Sequence, residues 1–152
     1  MLKKKLLPLL FLIIVANCDY SPVYVKGEGS KLNIDIIKIN GDSEINDIIA
    51  KEISQIANNN YAKKINVKIN TNFVKIILAR NTKGTPTDYE LKAISSFKIT
   101  NSDKEQNFVI EEKFNYKKMT NSYEQNNYEK TIKKNIASSI TRKLILRLTI
   151  AE

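Results

Sequence analysis

The chain has 152 residues and is basic, with 25 Lys and Arg against 16 Asp and Glu, a formal net charge of +9, one Cys, and no His or Trp. The length suits one domain with its own core. The missing His and lone Cys exclude Ser-His-Asp and Cys-His triads and Cys/His metal sites, so any enzyme here would run on carboxylates, lysines or tyrosines alone.

Residues 1–17 read as targeting sequence. Lys3, Lys4 and Lys5 form a basic start, and Leu6 to Val15 form an apolar run interrupted by Pro8. That run is about ten residues, well short of the roughly twenty a spanning helix needs. Val15-Ala16-Asn17-Cys18 then has the form of a lipobox, with Asn17 where Gly or Ala is preferred. The expectation is an N-acyl and S-diacylglycerol lipid (palmitate-type acylation) on Cys18, and no other cofactor. The competing reading is an ordinary secretory signal followed by an unrelated thiol; the position of the single Cys at the end of the apolar run favours lipidation. Removing three signal lysines leaves a mature charge of +6. A moderately basic body suits anionic partners, although solvated lysine is also the ordinary surface residue.

Residues 18–31 hold Pro22, Gly27 and Gly29 with little periodicity and read as a lipidated tether. Tyr20, Pro22 and Tyr24 either pack that tether onto the body or lie at headgroup level. Residues 32–152 read as a single α+β domain. Leu32, Ile34, Ile36, Ile37 and Ile39 make a first strand that ends at Asn40-Gly41. Asp42 or Ser43 can cap a helix on which Ile45, Ile48, Ile49, Ile53 and Ile56 share one face, stopped by Asn58-Asn59-Asn60.

From Ile65 the apolar period is two. Ile65, Val67, Ile69 and Phe73 share one parity and Val74, Ile76 and Leu78 take the other, which predicts a bulge or bend near Asn70 to Asn72. Asn81-Thr82-Lys83-Gly84 predicts a hairpin turn. Tyr89, Leu91, Ala93, Ser95, Phe97 and Ile99 then face one way, and Thr100 to Asn107 reads as a polar loop. A fourth strand carries Phe108, Ile110, Glu112, Phe114 and Tyr116 on one face. Glu112 reads either as a functional carboxylate or, as is more common, as a charge at the sheet rim; Glu111 points away from it, so the two cannot act as an acid/base pair. Ser122-x-x-Gln125 predicts a capping box for a long helix lined by Ile132, Ile136, Ile140, Leu144 and Leu148, with Ala137 and Ile145 beside them. The order is βαβββα: a two-layer sandwich of two helices on a four-stranded, mainly antiparallel sheet.

Cys18-Asp19-Tyr20-Ser21-Pro22-Val23-Tyr24 resembles the mature start of the lipopolysaccharide-assembly lipoprotein family (LptE). Arg80-Asn81 before the turn, Gly84 after it, Tyr89-x-Leu91 and the βαβββα order are similar as well. The resemblance implies a non-enzymatic lipoprotein of the Gram-negative cell outer membrane that acts in lipopolysaccharide (LPS) transport and assembly. Such a subunit plugs and helps assemble the β-barrel of the LPS translocon (LptD-type) and assists LPS insertion into the outer leaflet. Its implied partners are that barrel, LPS and the membrane, with no nucleic acid. Arg80, Lys83, Lys117 and Lys118 are the residues expected to meet LPS phosphates, the alternative being ordinary solvated loop cations. Asp19 allows retention in the inner membrane. That location would suit an auxiliary lipoprotein of another periplasmic system, such as a lipid-transport ABC accessory subunit or a secretin pilotin.

Overall fold

The computed structural model describes residues 33–57, 64–101 and 104–150. The signal segment, Cys18, the tether and the Asn58-Asn59-Asn60 stop lie outside the described residues. The elements are β1 (Asn33–Gly41), α1 (Ser43–Ile56), β2 (Lys64–Arg80), β3 (Pro86–Asn101), β4 (Lys104–Lys117) and α2 (Ser122–Ile150). They form the α+β order βαβββα expected from the sequence. The sheet runs β1-β2-β3-β4, with β1 parallel to β2 and the other two ladders antiparallel. The one parallel ladder follows from α1, since parallel neighbours need a crossover connection and a helix supplies it.

Both helices cover one face of the sheet. Ile45, Ile49 and Ile53 of α1 and Ile132, Ile136, Ile140, Leu144 and Leu148 of α2 are buried against Ile65, Val67, Ile69, Leu91, Ala93, Phe97 and Ile110. Period-two strands and near-four-residue helical spacing thus converge on one core. Asp42 caps α1, its side chain accepting from the Ile45 amide at 3.0 Å. Lys133 of α2 reaches back to Asp42 and Glu44, at 2.9 Å each, and ties the two helix starts together. Ser138 donates to Glu52 at 2.5 Å one turn further on.

Three local expectations are corrected. No bulge occurs near Asn70 to Asn72: β2 pairs continuously with β3 from Ile65 to Ile77, and its irregularities fall between Ile77 and Arg80. Thr71 and Phe73 therefore keep the inward parity of Ile69, and the buried Thr71 hydroxyl is satisfied by Ser95 at 2.8 Å. The apolar residues after Phe73 led the parity reading astray because they are apolar without being core. Second, Thr100, Asn101 and Lys104 to Asn107 belong to strands rather than to a loop, since the β3–β4 ladder continues to Asn101 opposite Lys104. Ladder hydrogen bonds are made by backbone groups, so a hairpin in register can continue through residues whose side chains are polar. Third, Asn121 rather than Ser122 caps α2, its Oδ1 accepting from the Tyr123 and Glu124 amides at 2.9 and 3.3 Å. Gln125 still reaches back, accepting from the Met119 amide at 3.2 Å.

Glu112 takes the expected place at the rim. It accepts from Ser139 at 2.9 Å and pairs with Lys143 at 2.5 Å, so its charge fastens β4 to α2. No helix among the described residues is long and apolar enough to cross a membrane.

Candidate functional site: the projecting half of β2 and its hairpin

β1 ends opposite Thr71, where the Asp42 amide donates to the Thr71 carbonyl at 2.8 Å. β2 runs on for nine more residues, from Asn72 to Arg80, paired with β3 on one side only among the described residues. An unpaired strand edge offers a row of open amide and carbonyl groups. Four large apolar side chains are exposed along it beside Asn72, Lys75 and Arg80: Val74 is 36% exposed, Ile76 39%, Ile77 41% and Leu78 48%. Period-two geometry puts Val74 and Ile76 on the face away from the helices and Ile77 on the helix side. Apolar side chains on both faces of a free edge are the usual mark of a surface that receives another strand.

The turn that ends this edge is built by Asn81. Its Oδ1 accepts from the amides of Lys83 and Thr85 at 3.0 and 2.9 Å, and its carbonyl accepts from the Gly84 amide at 2.9 Å. Gly84 has φ +79°, as the turn reading required. Arg80 donates through Nη1 to the Gly84 carbonyl at 2.8 Å. One of its five donors therefore serves the turn, while the exposed guanidinium keeps others free for an anion.

Lys117 lies opposite Asp88 in the ladder, and the Lys118 amide donates to the Thr87 carbonyl at 2.8 Å. A shallow concavity of about 520 Å³ brings Lys117 and Lys118 together with Asn81, Thr85 and Asp88. The two basic pairs expected from the sequence thus sit at one end of the sheet. Arg80 and Lys83 lie on the hairpin itself rather than in the wall of this concavity, and Asp88 offsets part of its positive charge.

Behind the hairpin is a polar cluster that the sequence reading missed. Glu129 of α2 accepts from Lys75 at 2.5 Å, from Gln125 at 2.8 Å and from the Tyr116 hydroxyl. The Lys75 ammonium lies 4.4 Å from the centroid of the Tyr89 ring, which stacks on Tyr116 at 5.4 Å. Burial raises the Glu129 pKa, but hydrogen bonds from Lys75, Tyr116 and Gln125 outweigh it and hold the carboxyl below its usual value. Burial, then the hydrogen bond and charge of Glu129, push the Tyr116 phenol well above its ordinary range. These groups lock the root of the projecting hairpin to α2. A lysine on the core-facing parity of β2 was the available signal, because a charge placed there needs a partner.

No family model matches this chain, and no curated protein does. Solved structures with the same fold do exist. Rare lipoprotein B from Shewanella oneidensis aligns with a TM-score of 0.52 at 14% identity, over 78% of this chain and 100% of its own. A lipoprotein from Caulobacter crescentus aligns with a TM-score of 0.51 at 13% identity, over 76% of this chain and 86% of its own. At these identities the likeness is one of fold, and the α+β sandwich of this chain is a fold that bacterial lipoproteins carry.

Proposed function

We propose that this chain is a non-enzymatic, lipid-anchored outer-membrane lipoprotein on the periplasmic side. In this reading it plugs and helps assemble the β-barrel of the LPS translocon and assists LPS insertion into the outer leaflet. The observation that carries the proposal is the projecting half of β2, a strand edge unpaired among the described residues that exposes Val74, Ile76, Ile77 and Leu78 and ends in a basic hairpin. A β-barrel partner is the natural occupant, since strand edges are satisfied by other strands and apolar side chains by a closely packed wall. The lipobox at Cys18, the resemblance of Cys18 to Tyr24 and the shared fold support the same reading. Arg80, Lys83, Lys117 and Lys118 are assigned to LPS phosphates at that end, Arg through paired donors and Lys as a point charge. The lipid raises the local concentration of the body beside its barrel without any added contact.

Affinity recovery of the lipidated chain from detergent-solubilised outer membranes should bring down a large β-barrel protein, and depletion of the chain should lower surface LPS. Normal surface LPS after depletion would sink the proposal. Asp19 favours the second reading, an auxiliary lipoprotein of another periplasmic system. Fractionation separates the two, since an inner-membrane location would support that alternative.

A further inference from the structure

The sheet face opposite the helices carries a second basic feature, remote in the ladder from the hairpin. Lys38 of β1, Lys68 of β2 and Lys98 of β3 are consecutive partners across three strands, and Asn107 of β4 completes the row. Neighbouring strands lie about 5 Å apart, so the three ammonium groups arise from backbone positions spanning about 10 Å. Like charges directly opposite one another weaken a sheet. Of the other lysines on this face, Lys64 pairs with Asp35 at 2.8 Å and Lys92 with Glu111 at 2.7 Å, while Lys113, opposite Lys92, has no ion pair among the described residues. In the row, Lys98 pairs with Glu105 at 2.5 Å, while Lys38 and Lys68 have no ion pair among the described residues. Lys68 also acts on Glu105 through its charge, so one carboxylate serves two ammonium groups.

The next row up is polar without charge. Asn40, Asn70 and Ser96 are partners across the same three strands. Together the two rows line an open concavity of about 480 Å³. Amide and hydroxyl donors beside surplus ammonium groups match an anion that presents several oxygens at once.

We propose that Lys38, Lys68 and Lys98, framed by Asn40, Asn70 and Asn107, form a binding site for a molecule bearing clustered phosphate groups. Glu105 holds the site in its empty state as an internal counter-ion that the ligand displaces from Lys98. The proposal rests on the sheet face alone and does not depend on the barrel reading.

The test uses the lipidated full-length chain reconstituted in phosphatidylcholine vesicles and titrated with sodium tripolyphosphate. Replacing Lys38, Lys68 and Lys98 together with Gln should weaken binding at least about tenfold, from about two- to fivefold per exposed contact. Glu105→Gln should tighten it about two- to fivefold on the same scale. A triple Gln variant at Lys51, Lys130 and Lys134, exposed on the helical layer, removes the same charge from the other side and should bind as the parent does. Equal losses in the two triple variants would reduce the effect to net charge and overturn the proposal, as would a parent that does not bind tripolyphosphate. Thermal melting checks the fold of each variant, and Glu105→Gln tests the site without removing any lysine. Adding phosphatidic acid to the vesicles identifies the source of the phosphate. Competition with tripolyphosphate assigns the site to lipid headgroups, and its absence assigns it to a soluble polyphosphorylated molecule.

Discussion

Two glycines with positive φ show how differently one residue type can be required. Gly41 has φ +88°, and a Cβ there would lie 2.0 Å from the Thr71 carbonyl oxygen. The end of β1 therefore presses directly on β2, and only a residue without a side chain fits. Gly84 has φ +79° and open space around its missing Cβ. Gly41→Ala should cost about 1–3 kcal/mol or more, through backbone strain plus the clash, while Gly84→Ala should cost only about 1 kcal/mol. Denaturant melts of the two variants check this, and equal losses would refute the close-approach account. Glu129 makes a pH-dependent case. Its carboxyl is held below its usual value, so its contribution to stability is fully present above that usual value and fades as pH falls through the lowered one. Glu129→Gln should therefore cost about 1–3 kcal/mol at neutral pH. The deficit against the parent chain should shrink in acid, which melts across the acidic range would detect.

Among the elements, β2 has two halves with different duties. From Ile65 to Phe73 its inward side chains belong to the core or border it; from Val74 to Arg80 its side chains are exposed. Ile76→Lys and Leu78→Lys should each leave stability within about 0.5 kcal/mol of the parent, because neither side chain belongs to the buried core. Both should abolish recovery of the barrel partner. Phe97→Ala, by contrast, should cost about 3–5 kcal/mol, since that ring is buried at the centre of the sheet. Loss of barrel recovery without loss of melting temperature distinguishes an interface from a core. The opposite pattern at Ile76 or Leu78 would count against the assignment.

At the scale of the whole molecule, the described residues form a sandwich layered on one side of the sheet. Two helices cover one face of the sheet, the other face carries the lysine row, and the hairpin end carries the apolar edge. Exchanging residues 1–17 for an ordinary cleavable secretory signal together with Cys18→Ser should release the mature body from membranes and leave its melting temperature unchanged, since the lipid on Cys18 is read as an anchor and not as a core contact. Membrane fractionation followed by thermal melting of the released chain checks both halves of that expectation.

Element order, strand faces and both helix stripes were legible in the sequence because they follow from local periodicity, which records which side of an element is buried. Asp42 as a cap and Asn81-to-Gly84 as a turn were legible for the same reason: the side chain and the backbone group it serves are neighbours. The misread bulge in β2 marks the limit of such reasoning. Val74, Ile76 and Leu78 have the composition of core residues, and nothing local reveals that the face they occupy is open. Lys75 with Glu129, Lys133 with Asp42 and Glu44, and the row Lys38-Lys68-Lys98 join residues far apart in the chain. Each depends on strand register or helix placement, which are set by how the whole core packs. The sequence alone determined the two-layer fold and the basic pairs at Arg80, Lys83, Lys117 and Lys118. Only the tertiary structure decided which apolar residues remain exposed and which lysines stand side by side, because burial and cross-strand neighbourhood are properties of packing rather than of order along the chain.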